Sequence, residues 1–175
     1  ARLPTTTTRL TCKGARISPL RAYLAAMIEV REVRASHYLD EIKDLAAANW
    51  AETGFWFDLD LRPEVFDAMQ DTGCWFALAA FEGERIVGYV TAAVVPHHFN
   101  PAITLCATDA LFVAPDKRHG RTTLLLRDAA EAEAERRGAQ EIMWHTRAGT
   151  PFAAMLLRRG YVEDDVVVSR RLGNG

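Results

Sequence analysis

Residues Asp109–Gly138, "DALFVAPDKRHGRTTLLLRDAAEAEAERRG", join three patterns in a row. The apolar run 103–113, of which this stretch holds the end, predicts a strand buried on both faces, and Pro115 ends it. A basic loop follows at residues 117–121, and apolar residues at helical spacing then continue to a stop at Gly138. The stretch therefore predicts a strand–loop–helix unit at the centre of a mixed α/β sheet.

The basic loop has the chemistry of an anion site, because the start of a helix exposes unpaired N–H groups and a partial positive charge. Three basic side chains stand beside that end, and Gly120 lets the backbone come close to a ligand. The loop is neither a P-loop nor a dinucleotide fingerprint, since it lacks a G-K-S/T ending and the G-x-G-x-x-G spacing. By its charge alone it could equally be a solvated surface loop.

The rest of the chain supplies further strands and helices around this unit. Before it, the patterns predict a strand, a helix capped by Ser36, a second helix that starts with Pro63, and a β-hairpin, over residues 27–33, 36–52, 63–73, 74–81 and 85–96. After it they predict a strand, a helix capped by Thr150, and a terminal strand pair or one bent strand, over residues 141–146, 150–160 and 161–172. The order is β-α-α-β-β-β-α-β-α-β.

Composition limits the class of protein. The 175 residues are 49% hydrophobic and 25% charged, which fits one globular domain, and no apolar run approaches the roughly 18 residues that span a bilayer. The three cysteines lie far apart with no C-x-x-C pair, so neither a zinc site nor a disulfide framework is indicated. We expect free thiols, a cytoplasmic location, no bound metal and no membrane partner.

Residues 1–26 differ from the remainder, because they carry five basic residues and no acidic one in a chain of net charge −2. Three interpretations stay open: an arm for a homo-oligomer or assembly, a targeting segment, or sequence translated ahead of a start at Met27. The domain itself is expected at residues 27–175. Its acidic balance argues against nucleic acid as a partner.

The order of strand, turn, basic loop, helix and the later "RRGY" (Arg158–Tyr161) resembles the GNAT superfamily of acyl-CoA-dependent N-acetyltransferases. Leu111, Val113 and Pro115 match the family's strand and turn, and Arg118 matches the leading arginine of its loop. The resemblance covers residues 27–172, and the branch is similar to family members found in phage genomes. It implies a mixed, mostly antiparallel central sheet flanked by helices, with a splayed central strand pair.

The resemblance also implies an activity and a cofactor site. The enzyme would move an acetyl group from acetyl-CoA to a primary amine on a small molecule or a protein. The acyl carbonyl would bind the strand backbone at Leu111, Phe112 and Val113, which would act as an oxyanion hole. The pyrophosphate of CoA would rest on the loop amides of Arg118, His119, Gly120, Arg121, Thr122 and Thr123.

Four positions depart from the family pattern. Arg121 and Thr123 stand where small residues are usual, and Leu156 falls near the position of the tyrosine that often protonates the departing thiolate. Gly149 falls near a customary asparagine. The alternative is therefore a catalytically silent GNAT-fold module that binds or assembles through its basic arm.

Candidates for the general base follow from residue type and place. Asp109 lies in an apolar strand, in register with Leu111 and Val113, so its carboxylate needs a cleft or a partner. Three histidines are further candidates, because imidazole commonly serves as a base near neutral pH. His97 and His98 end a hairpin strand near the expected substrate entrance, and His145 lies on the strand beside the central one.

An aromatic segment could contribute to acceptor binding. Phe55, Trp56 and Phe57 stand together in a predicted loop, and Trp50 precedes them on the helix. Aromatic rings attract cationic amines, so these residues could line an acceptor pocket. They could equally belong to the hydrophobic core.

Overall fold

The structure, a computed structural model, describes residues 27–118 and 121–172. The expectations for residues 1–26, and the roles assigned to His119 and Gly120, lie outside the described residues. They stay predictions.

The fold is built on one five-stranded sheet in the order β1-β2-β3-β4-β5. The first three pairs of neighbouring strands are antiparallel, and β4 with β5 is parallel. This arrangement confirms the expected mixed, mostly antiparallel sheet. The strands are β1 (Ile28–Glu32), β2 (Trp75–Glu82), β3 (Arg85–His97), β4 (Asn100–Val113) and β5 (Glu141–Met143).

Helices cover both faces of the sheet. One face carries α1 and α2 over a core that includes Trp75 and Phe81, and the other carries α3 over a core that includes Phe76 and Leu126. Alternation along β2 supplies both cores, because successive side chains of a strand point to opposite faces. The helices are α1 (Leu39–Thr53), α2 (Pro63–Asp71), α3 (Thr122–Arg136) and α4 (Pro151–Arg158).

Several end signals of the helices are confirmed. Gly54 ends α1 in the left-handed conformation, and the Thr150 side chain accepts a hydrogen bond from the Ala153 N–H at the start of α4. The expected cap at Ser36 is wrong. Ser36 lies in a 3-10 turn before α1, and its hydroxyl donates to Asp67 Oδ1 at 2.6 Å, so it ties that turn to α2 instead.

Gly88 lets α3 approach the sheet closely. A Cβ atom at this position would stand 2.9 Å from the Phe112 carbonyl oxygen and 3.1 Å from Leu126 Cδ1. Both contacts are tighter than a well-packed core accepts. A glycine near the start of β3 therefore lets Leu126 of α3 and the end of β4 pack closely against this strand.

Three predicted boundaries are wrong. The segment between the predicted strands 85–96 and 103–113 is not a plain loop, because β3 extends through His97 and β4 begins at Asn100. The strand predicted over residues 141–146 is only three residues long. The segment 161–172 has no regular structure, and its valines 166–168 are exposed. Valine favours strands only where a pleated surface packs against it, and this segment has none.

Candidate active site

A gap between β4 and β5 is the central feature of the site. The two strands pair only between Leu105–Ala107 and Glu141–Met143, whereas β4 continues to Val113. The β5-facing backbone edge of residues 109–113 therefore has no strand partner among the described residues. This confirms the expected splayed pair, and it leaves main-chain groups of β4 open to a ligand.

Asp109 is displaced by a bulge in β4. Thr91 pairs with Ala110 and Ala92 pairs with Thr108, so Asp109 is the extra residue between them. The expected register with Leu111 and Val113 is therefore wrong. Those two residues pack on the α3 face, whereas the Asp109 carboxylate accepts a hydrogen bond at 2.5 Å from Trp75 Nε1, which lies on the α1–α2 face.

His145 stands at the edge of the gap and is anchored to the same bulge. Its Nδ1 lies 2.7 Å from the Thr108 carbonyl oxygen, and its backbone N–H donates to Thr108 Oγ1 at 3.0 Å. A carbonyl only accepts hydrogen bonds, so Nδ1 carries the proton in this contact. In the neutral ring, Nε2 is then an acceptor without a partner among the described residues, on an exposed side chain, which is the arrangement that a general base needs.

The structure does not bring His97 and His98 to this place. They lie at the tip of the β3–β4 hairpin, where His97 pairs with Asn100. His97 is five positions beyond Ala92, the partner of Thr108, so it is about 16 Å along the strand from the bulge. There the two histidines line an apolar groove with Phe99 and Leu105, and this groove runs along the sheet as far as Ala107 and Met143.

The loop after β4 leads to an open helix start. A short turn at Pro115–Lys117 precedes α3, whose first residue, Thr122, is buried. Arg121 at the N-cap makes no side-chain capping bond, and the first turn contains no acidic residue. No side chain among the described residues therefore caps the first N–H groups of α3, which suits an anion.

The basic side chains of the loop do not all serve that anion site. Arg118 donates from Nε to the Val113 carbonyl oxygen at 2.9 Å and from Nη2 to Glu52 Oε1 at 2.7 Å. Lys117 pairs with Glu82 at 2.7 Å. These two cations hold the loop on the body, whereas Arg121 is exposed and pairs with no described carboxylate.

The end of α1 is a junction that the sequence analysis missed. Besides the Arg118–Glu52 pair, Arg147 donates to the carbonyl oxygen of Glu52 at 3.0 Å and to that of Thr53. Arginines suit the last carbonyls of a helix, which have no partner inside it. The loop after β4 and the loop after β5 therefore meet at one point. No sequence signal links residues so far apart.

An aromatic cluster, defined as Trp50, Phe55, Trp56 and Phe57, continues from this junction. The rings of Trp50 and Phe55 lie 4.2 Å apart, and Trp50 Nε1 donates to the Phe57 carbonyl oxygen at 2.8 Å. Phe55, Trp56 and Phe57 are exposed. They belong to the surface, and the bonds at the end of α1 place them on the side of the molecule that carries His145.

Leu156, at the position where the resemblance places a tyrosine acid, is buried in the core. The nearby Tyr161 donates its hydroxyl to Glu131, which also accepts from Trp144 Nε1 at 3.3 Å. Burial and the bond to Glu131 raise the pKa of Tyr161 to about 12. This tyrosine fastens the end of α4 to α3.

Solved structures share this architecture. One is an aminoglycoside acetyltransferase, meta-AAC0020, from an uncultured soil metagenomic sample, with a TM-score of 0.68, 15% identity, and coverage of 84% of this chain and 97% of that one. AAC(6')-Iy, in complex with a bisubstrate analogue of CoA, has a TM-score of 0.67 and 14% identity, and the match covers 85% of this chain and 99% of that one. Ribosomal-protein-alanine N-acetyltransferase from Brucella melitensis biovar Abortus 2308 has a TM-score of 0.62 and 17% identity, and the match covers 84% of this chain and 100% of that one.

The sheet, its gap and the helices on both faces are thus those of an acetyltransferase fold. The model of the acetyltransferase (GNAT) family matches residues 39–161, more than half of the chain, and the chain belongs to that family. Its class of enzyme is the acyl-CoA N-acyltransferases, whose co-substrate is acetyl-CoA. A comparison with curated protein sequences finds no match.

No group of three or more histidine, cysteine or acidic side chains in the described part of the chain could hold a metal ion. None of the helices in that part is both long and apolar enough to cross a membrane.

Proposed function

We propose that this chain transfers an acetyl group from acetyl-CoA to a primary amine at the β4–β5 gap. The observation that carries the proposal is the meeting of an open β4 edge, an uncapped α3 start and His145 at one end of the sheet. The pyrophosphate would bind the amides of residues 118–123. The thioester carbonyl would bind the β4 backbone at Leu111–Val113.

The chain's own groups supply the steps of such a transfer. Nε2 of His145 takes a proton from the acceptor amine, whose nitrogen then attacks the thioester carbon. The β4 N–H groups hold the oxyanion that forms, and the C–S bond breaks as the carbonyl returns. CoA leaves as the thiolate, because Leu156 cannot protonate it, and the nitrogen of an acceptor that arrived as an ammonium loses its second proton to water. Asp109, on the α1–α2 face, would attract the ammonium form of the acceptor.

Calorimetric titration tests the first half of the proposal. We expect saturable binding of acetyl-CoA and of CoA to the folded protein. Absence of heat at millimolar ligand, with an intact circular dichroism spectrum, would overturn acyl transfer altogether.

Thiol release in the presence of amine libraries tests the second half. We expect free CoA to appear with an accepted amine, and His145→Gln to abolish its release while acetyl-CoA still binds. His97→Gln is the matched control, because it removes the same side chain about 16 Å away along the strand.

A silent binding module is the second candidate function. Leu156 favours it, because no acid stands at that position. Binding of CoA without turnover across broad amine libraries would support it. Assembly through residues 1–26, a phage origin and a cytoplasmic location stay predictions.

A further inference from the structure

The aromatic cluster presents more apolar surface than a loop needs for its own folding. Phe55 is 47% exposed, Trp56 64% and Phe57 47%, and the three are consecutive. Their rings pack on one another and on Trp50, so the surface is ordered by contacts within the cluster. Contiguous exposed apolar surface of this kind is typical of a binding site.

The charge around the cluster selects the sign of the ligand. Residues 52–64 contain four acidic residues and one basic residue. Glu52 pairs with Arg118, and Asp60 pairs with Arg62 at 2.6 Å. Asp58 is exposed and has no ion-pair partner among the described residues. Aromatic faces beside a carboxylate attract a cation.

The chain itself places a cation on this surface. The guanidinium carbon of Arg171 lies 5.3 Å from the centre of the Trp56 ring. Arg171 belongs to the segment 161–172, which has no regular structure and whose valines 166, 167 and 168 are 81%, 82% and 88% exposed. So little buried surface holds the segment that a competing ligand can displace it.

The cluster is also connected to the proposed reaction site. Arg147 bonds the last carbonyls of α1, directly before Gly54 and the aromatic residues, and it lies two positions after His145. The surface is open and its present occupant is an irregular, exposed stretch of chain. Both facts favour a peptide over a small molecule that needs enclosure.

We infer that the aromatic cluster binds an arginine or lysine of an extended basic peptide that carries the acceptor amine, and that Arg171 competes for the same place. The inference rests on the proposed function and adds the class of acceptor. The C-terminal segment then acts as an internal competitor of the substrate.

Peptide binding tests the inference without any chemistry. The probe is an amine-capped peptide of residues 168–172, compared with the same peptide carrying alanine at both arginines. We expect Arg171→Ala to tighten binding of the arginine peptide by about two- to fivefold, and Trp56→Ala to weaken it by a similar factor, as for an exposed cation–π contact. Arg170→Ala is the matched control, since it removes the same charge one residue away and should change affinity less.

Equal affinity in the parent protein and in Arg171→Ala would overturn the inference, as would binding of the alanine peptide with the same strength or no peptide binding at all. If a small polyamine bound to the protein and the peptide did not, the conclusion that the ligand is a peptide would be overturned. Acetyl-CoA titrated into the same samples separates the two proposals. Peptide binding without acetyl-CoA binding removes the proposed function and the peptide's role as acceptor but leaves the binding surface, whereas acetyl transfer to small amines without peptide binding removes only this inference.

Discussion

The two ends of β4 differ in their surroundings. Over residues 105–107 the strand has β3 on one side and β5 on the other, whereas over residues 109–113 it has β3 alone. The tip beyond the first half carries His97 and His98, and the second half carries the bulge, the gap and the loop to α3. The proposed reaction site lies where the pairing with β5 stops, because backbone groups on that edge of β4 are open to a ligand.

The largest expected effect distinguishes the two ends of β4 by comparing His145, beside the gap, with His97, at the hairpin tip. His145→Gln should lower kcat by roughly 10²- to 10⁴-fold, the usual contribution of a general base. His97→Gln should leave kcat within about twofold. Steady-state kinetics with saturating acetyl-CoA measures both. A larger loss at His97 than at His145 would move the site to the hairpin tip.

A smaller effect concerns the packing behind the gap. Gly88→Ala should destabilise the fold by about 1 to 3 kcal/mol, because the added methyl group meets the Phe112 carbonyl oxygen and Leu126. Val166→Ala, in the exposed terminal segment, should stay within about 0.5 kcal/mol. Urea denaturation compares them. Equal midpoints would show that α3 does not need this close approach.

Cofactor binding and acceptor binding are assigned to different residues, Arg118 in the loop after β4 and Asp109 in the bulge of β4. Arg118→Ala should weaken acetyl-CoA by about tenfold, roughly 1.4 kcal/mol, because the loop loses its bonds to Val113 and Glu52. Asp109→Asn should lower turnover and leave acetyl-CoA affinity nearly unchanged. Calorimetry measures the acetyl-CoA affinity of both variants, and steady-state kinetics measures their turnover. The reverse pattern would exchange the roles of Arg118 and Asp109.

The smallest expected effect concerns the acid sensitivity of Asp67 and Asp71 on α2, away from both ends of β4. The hydrogen bond from Ser36 and the guanidinium of Arg34 lower the pKa of Asp67, and Arg34 likewise lowers the pKa of Asp71. Carboxyls with a depressed pKa stabilise the fold above their ordinary value, about 3.9, and that contribution is lost as pH falls through the depressed one.

Arg34→Met should therefore lower the Tm at pH 7 and lessen its fall between about pH 5 and pH 2. Thermal melts followed by circular dichroism measure both slopes. Parallel curves for the parent and the variant would place the acid-sensitive groups elsewhere in the molecule.

Local patterns predicted much of the fold from particular residues. The apolar run before Pro115, the glycine after α1 and the threonine cap of α4 each have a cause within a few residues, and each is confirmed. Helical spacing in α3 predicts an apolar stripe centred on Leu125, Ala129 and Ala132, and this centre is wrong. The buried face of α3 runs through Leu126, Ala130 and Ala134. Helical spacing shows that such a face exists, but the sheet decides its centre.

Local periodicity and motif order were enough to predict the family, the strand–loop–helix unit and the types of residue available for chemistry. Which of these residues meet depends on packing between distant segments. The bulge turned Asp109 away from Leu111, the short β5 opened the gap at His145, and two distant arginines met at the end of α1. Strand register and long-range bonds arise from packing between segments, and no local pattern encodes them.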